Sequence, residues 1–112
     1  MLEKKRLIAI DISSGTYKEF VSAILSYAKA KISSYVCVAN VHMVVEAYEH
    51  PEYANIVNNA DLVTPDGMPL AKAIKSIYGE EQERVDGMSL LPTLLAESEN
   101  NNVTVYFYGS SQ

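Results

Sequence analysis

ADLVTPDGMP, from Ala60 to Pro69, reads as a short apolar strand that breaks into a Pro-Asp-Gly turn and opens a helix. Pro65 stiffens the turn, and Gly67 accepts backbone angles that a side chain would forbid. Asp66 is therefore held at the carboxyl end of a buried strand, Ala60 to Thr64. Pro69 suits the first turn of the next helix. Leu70, Ala73, Ile74, Ile77 and Tyr78 form its buried face, and Gly79 supplies the left-handed residue that ends it. ERVDG, from Glu83 to Gly87, then brings in an arginine. A carboxylate, Asp66, and a guanidinium, Arg84, are expected near the same end of one sheet, which makes a candidate catalytic site.

The flanking sequence repeats the alternation. Leu7 to Ile12 is a β-branched apolar run ending at Ser13, Ser14 and Gly15, and it reads as one buried strand. Thr16 and Glu19 form a capping box at the start of a helix with Phe20, Ile24, Tyr27, Ala28 and Ile32 on its apolar face. Ser34 to Ala39 is a second strand. Val41 begins a helix with Val44, Val45 and Tyr48 on its stripe, and Pro51 restarts a short helix turned inward on Tyr53, Ile56, Val57 and Ala60. Ser89 to Ser98 reads as a helix capped by Ser89, with Pro92 tolerated in its first turn, and Val103 to Tyr108 as a fourth strand. Strands alternating with helices predict an α/β fold, layered and Rossmann-like, with a largely parallel sheet whose ligands sit beyond the carboxyl ends of the strands. Asn40, Asp66 and Gly109 each come after a strand and fall there.

The 112 residues make one domain, 1–112, and a chain of this size buries roughly two thirds of its unfolded surface. A net charge of −5 argues against a broad electrostatic grip on nucleic acid or an anionic membrane, so an anionic ligand must be held locally. The single cysteine, Cys37, reads as a buried small hydrophobe and fits a reducing compartment. MLEKKRLIAIDI reads as a first strand rather than a signal peptide, and no run approaches the ~20 apolar residues of a membrane span. Tyr106 to Gln112 stops where a glycine-serine turn would open a helix able to hold a phosphate. The expectation is an N-terminal part of a longer protein, incomplete at its C-terminus.

Each candidate residue has a structural reading beside the chemical one. Asp66 is either an Asx-type turn or helix cap, or a general base, a role worth about 10² to 10⁴ in rate. Arg84 either pairs with Glu83 or Asp86 at the surface, or grips a diphosphate through two parallel hydrogen bonds and offsets charge on a leaving group. Asn40 either caps the helix at Val41 or touches a sugar. His42 and His50 have no partner spaced for metal binding, and no metal is expected. The tyrosines read as core packing. Asp11 to Thr16 superficially resembles the phosphate loop of sugar kinases, or the nucleophile loop of haloacid-dehalogenase-type phosphatases. The first expects a glycine-rich hairpin and the second an acidic residue at Ser13, whereas a capped helix comes next here.

Taken in order, the motifs resemble one family. Between Val38 and Gly109 the chain carries an Asn at a strand end (Asn40), ADLVTPDG (Ala60 to Gly67), a helix closed by Gly79, RVDG (Arg84 to Gly87) and a late apolar run into Gly109 and Ser110. This order is similar to that of the bacterial WecG/TagA/CpsF glycosyltransferases. Leu7 to Ala30 corresponds to the family's first strand and helix, so the resemblance covers nearly the whole chain.

The resemblance implies a GT-E-like fold and an inverting transfer, without metal or cofactor, of a sugar such as N-acetylmannosamine or its uronic acid. The donor would be a UDP-sugar and the acceptor a polyprenyl diphosphate-linked sugar, in cell-wall teichoic acid or surface polysaccharide synthesis. It implies Asp66 as base, Arg84 as the group stabilising the departing diphosphate, and Asn40 and Gly67 as substrate contacts. Gly109 and Ser110 would begin a loop near the nucleotide. Val38 stands where the family commonly carries threonine, which bears on donor choice, and Ser89 where it usually carries aspartate. The resemblance places the work at the cytoplasmic face of the membrane, with peripheral association through a more C-terminal region, room for a homo-oligomer and no role for nucleic acid. The 112 residues alone are expected to transfer sugar poorly or not at all. Two readings from other classes stand beside it, a non-catalytic nucleotide-sugar-binding module and an inactive fragment.

Overall fold

A computed structural model describes residues 2–109. In chain order the elements are β1 (Lys4–Leu7), β2 (Ile10–Ser13), α1 (Tyr17–Ala30), β3 (Val36–Ala39), α2 (Val41–Glu49), α3 (Pro51–Asn58), β4 (Leu62–Pro65), α4 (Met68–Tyr78) and α5 (Gly87–Asn100). β1 and β2 pair antiparallel, with Leu7 opposite Ile10, and β3 and β4 pair parallel, with Val38 opposite Thr64. The fold is mixed α/β, and the expected largely parallel sheet is corrected to one parallel pair and one hairpin.

The hairpin replaces the single strand expected over Leu7 to Ile12, and side-chain alternation explains why. One continuous strand would put Ile8, Ile10 and Ile12 on one face and Leu7, Ala9 and Asp11 on the other. The turn at Ile8 and Ala9 lets Leu7, Ile10 and Ile12 share the core and sends Asp11 across to Arg6, with Arg6 Nε 2.6 Å from Oδ1 and Nη2 3.1 Å from Oδ2. Ile8 is left exposed at φ 59°, a conformation costing a β-branched residue about 1–3 kcal/mol.

The fourth strand is also corrected. Val103 to Tyr108 pairs with no strand among the described residues, and Tyr106 and Tyr108 are 89% and 99% exposed. Aromatic and β-branched composition reports fitness for a pleated surface, not the presence of a neighbour.

Helix ends obey local chemistry. At α1 the Thr16 hydroxyl accepts from Glu19 N–H at 3.1 Å, and Glu19 Oε1 accepts from Thr16 N–H at 2.8 Å, the full capping box. Gly79, at φ 73°, closes α4. α5 starts earlier than its apolar pattern, because Asp86 is the cap: its Oδ2 accepts from Ser89 N–H at 3.1 Å. Ser89 is thus inside the helix, and Pro92 sits in the second turn rather than the first, where it removes one backbone hydrogen bond.

Two apolar clusters flank β4. Val63 joins Leu7, Ile10 and Ile12 of the hairpin with Val44, Val57, Leu70 and Ile74 from α2, α3 and α4. Leu62, pointing the other way, joins Phe20 and Val21 of α1 with Val85 and Leu90. The helices meet these clusters along narrower stripes than their apolar residues cover, so Val45, Tyr48, Ile56 and Ile77 are exposed, and Ile32, expected on the face of α1, lies exposed beyond its end. Cys37 is half-buried rather than buried, and that burial pushes its thiol pKa up against the opposing pull of Lys4. β2 is tied to β4 by Ser13, whose hydroxyl oxygen accepts from Val63 N–H at 2.9 Å, with both residues fully buried.

Candidate active site

β3 and β4 end side by side, and backbone hydrogen bonds fix the segments that leave them. Asp66 N–H donates to Ala39 O at 2.8 Å, which places the Pro-Asp-Gly turn beside the strand end from which Asn40 departs. Val85 N–H donates to Pro65 O at 3.0 Å, which lays the Arg84 to Asp86 segment against the same turn. Val85, fully buried against Phe20 and Leu90, anchors that segment in the core. Three segments far apart in sequence, carrying Asn40, Asp66 with Gly67, and Arg84, therefore meet at the carboxyl end of the parallel pair.

Asp66 is half-buried, and among the described residues its carboxylate makes no hydrogen bond or ion pair. It does not cap α4. The cap is Gly67, at φ 99°, with no side-chain cap bond. Asn40 does cap α2, its Oδ1 accepting from Met43 N–H at 2.9 Å, which leaves its amide NH₂ group as the part able to meet a ligand.

Arg84 is half exposed, with Nε 3.6 Å from Asp86 Oδ1. A single contact of that length is not the two-bond fork of a committed arginine-carboxylate pair, so most of the guanidinium edge remains available. Burial at the strand ends opposes ionisation of Asp86. The Ser89 hydroxyl and N–H, its own N–H and the Arg84 charge together outweigh that and hold its pKa below the ordinary carboxylate value.

Gly109, at φ 108°, has nothing within 4 Å of where a Cβ would stand, and Ser110 lies outside the described residues. His42 and His50 lie 4.0 and 3.8 Å from Glu46, and no group of three side chains able to hold a metal occurs among the described residues. The Asp11 to Thr16 loop presents no open amides to a phosphate. The N–H groups of Gly15, Thr16 and Tyr17 are taken by Gln82, Glu19 and Glu83. Thr64, just before the turn, is fully buried with its hydroxyl unpaired among the described residues.

The sequence assigns residues 80–82 no role, and Glu83 only that of an alternative surface partner of Arg84. Each holds a different partner. Glu80 pairs with Lys5 at 2.8 Å, and Glu81 with Lys75 at 2.6 Å. Gln82 meets both the N–H and the C=O of Gly15, and Glu83 accepts from Tyr17 N–H at 2.7 Å. The hydrogen bonds to Glu80 and Glu3 raise the Lys5 pKa despite its burial. No local spacing marks these residues, because the partners of Gln82 and Glu83 lie 67 and 66 positions away.

An unpartnered carboxylate and an available arginine thus stand at the carboxyl ends of the parallel strands, and the kinship of the chain is to transferases of sugars. Residues 5–112 match the profile of the glycosyl transferase WecG/TagA/CpsF family, and the chain belongs to that family. It is 26% identical over 112 residues to the N-acetylglucosaminyldiphosphoundecaprenol N-acetyl-beta-D-mannosaminyltransferase of Bacillus spizizenii, a match covering 99% of this chain and 44% of that protein. The chain thus spans less than half the length of that relative. No helix among the described residues is long and apolar enough to cross a membrane.

Proposed function

We propose that this chain carries the base and the leaving-group arginine of an inverting hexosyltransferase. The enzyme moves an N-acetylmannosamine-like sugar from a UDP donor to a polyprenyl diphosphate-linked sugar, in cell-wall teichoic acid or surface polysaccharide synthesis. Asp66 takes the proton from the acceptor hydroxyl. The freed oxygen attacks the anomeric carbon from the face opposite the diphosphate, the bond to the β-phosphate oxygen breaks, and its electron pair leaves on UDP. Arg84 stabilises the charge gathering there. The Asn40 amide and the Gly67 backbone contact the donor sugar, and Gly109 and Ser110 are further substrate-binding residues. The acceptor's lipid places the work at the cytoplasmic face of a membrane.

The observation that carries this reading is the Asp66 carboxylate, half-buried and without a protein partner, on a turn bonded to both strand ends. The test is Asp66→Asn in the full polypeptide encoded by the gene. Sugar transfer from UDP-N-acetylmannosamine should fall by about 10²-fold or more, while UDP-N-acetylmannosamine affinity by calorimetry stays within about threefold. Unchanged transfer would refute the assignment.

A further inference from the structure

We propose that Gln82 is the positioning residue of Arg84, its side-chain amide clasping Gly15 and so fixing the connector that carries the arginine to the turn bearing Asp66. The proposal rests on the reading of Arg84 as the group that meets the departing diphosphate.

Residues 80–86 contain no helix or strand, so no internal ladder holds them. Downstream of Arg84 the connector is well anchored, through the buried Val85, its bond to Pro65 O and the Asp86 cap of α5. Upstream, the side chain that makes the most hydrogen bonds is Gln82. Its Oε1 accepts from Gly15 N–H at 3.2 Å, and its Nε2 donates to Gly15 O at 2.8 Å and to Glu83 O at 3.0 Å. The neutral amide of Gln or Asn is the side-chain group that offers such a matched donor and acceptor. Glu83 adds a carboxylate on the N-terminus of α1, where the helix dipole favours it. A Cβ on Gly15, the residue that Gln82 clasps, would lie 2.8 Å from Glu19 Oε1, so a side chain there would have to displace the carboxylate of the α1 capping box.

Arg84 needs this support because its own contacts do not place it. The side chain is 48% exposed and touches Asp86 at 3.6 Å. Where the guanidinium reaches is therefore decided by where the backbone at Arg84 stands, and a displacement of about 1 Å at a reacting centre can cost about 10²-fold in rate. Glu81 serves as a contrast. Its ion pair with Lys75 is exposed on both sides and contributes little to placement.

The test measures kcat and KM in the full polypeptide, with UDP-N-acetylmannosamine as donor and a short-chain polyprenyl diphosphate N-acetylglucosamine as acceptor. The variants are Gln82→Ala, Gln82→Glu, Arg84→Ala, the Gln82→Ala/Arg84→Ala pair, and Glu81→Gln as control. Gln82→Glu keeps the shape but turns an oxygen toward Gly15 O and Glu83 O. Both Gln82 variants should lose about tenfold or more in kcat with donor KM within about threefold, the glutamate faring no better than the alanine, while Glu81→Gln keeps its kcat. In the Arg84→Ala background Gln82→Ala should cost nothing further, which a general loss of folding would not produce.

Losses that multiply in the double variant would overturn the proposal, as would kcat within about twofold of wild type in both Gln82 variants. Should Gln82→Glu fail to fold, the alanine cycle decides alone. Full activity in Arg84→Ala would remove the reading of Arg84 and this proposal with it; an impaired Arg84→Ala beside unimpaired Gln82 variants would remove only the proposal.

Discussion

Ser13→Ala deletes one oxygen where the hairpin meets the parallel pair, and the loss should be felt on both sides of that junction. Ser13 Oγ accepts from Val63 N–H at 2.9 Å, and both residues are 0% exposed. Without that oxygen the Val63 N–H is left buried and unpaired, at a cost of about 1–3 kcal/mol. Alanine introduces no clash in a strand, so the loss should be about 2 kcal/mol, or roughly 8 °C in Tm for a domain of this size. Urea unfolding should show the midpoint falling with an unchanged slope, because the surface exposed on unfolding is the same. Hydrogen exchange localises the effect: the Val63 amide should lose protection by more than the global change, and the neighbouring β4 amides should not. Val63 lies three residues before Asp66, so the same bond seats the strand that delivers the candidate base. A loss below about 0.5 kcal/mol, with Val63 still protected, would refute the reasoning, since that amide would then have another partner.

Other outcomes can be checked with the same material. Asp66→Asn should leave the melting temperature within about 2 °C of wild type, because its carboxylate holds nothing in the fold; a larger loss in a thermal melt would mean that it does. Thr64→Val, which removes a buried hydroxyl without a partner, should be neutral or stabilising by up to about 1 kcal/mol in urea unfolding. Asp86 is subject to a burial that opposes its charge, yet its Ser89 bonds and Arg84 leave its folded pKa below the reference of 3.8. A depressed carboxylate pKa contributes stability above the unfolded value and loses it as pH falls through the folded one. Melting temperatures should therefore decline below about pH 4 more steeply in wild type than in Asp86→Asn, and parallel declines would sink the assignment.

Legibility differed by the range of the interaction. The capping box at Thr16 and Glu19, the left-handed Gly79 and the Pro69 helix start were readable because each is settled within one helical turn. So was the convergence of the turn at Asp66 with the segment at Arg84, since a strand-turn-helix unit sends both to one sheet end. The hairpin was not readable from its apolar run, because Leu7 to Ile12 satisfies a strand pattern equally well. The sign that separates the two is the opposite charge of Arg6 and Asp11, which matters only once the chain has turned back. Asp86 displaced Ser89 as the α5 cap because both residue types cap well, and the choice depends on where Val85 is buried. The clasp of Gln82 on Gly15 has no local signature at all.

The four aspartates of the chain make the strongest internal argument for the site. All are half-buried. Asp11 is committed to Arg6, Asp61 accepts from Tyr35 N–H at 2.9 Å, and Asp86 caps α5. Asp66 alone has no partner among the described residues. Partly desolvating a carboxylate without hydrogen bonds to replace water works against folding, which is why its three counterparts are paired. The turn that holds Asp66 is meanwhile rigidly placed, with proline before it, a positive-φ glycine after it and backbone bonds to both strand ends. A side chain held in place but left without a partner breaks the rule that the rest of the chain obeys, and such exceptions belong where a ligand completes the set.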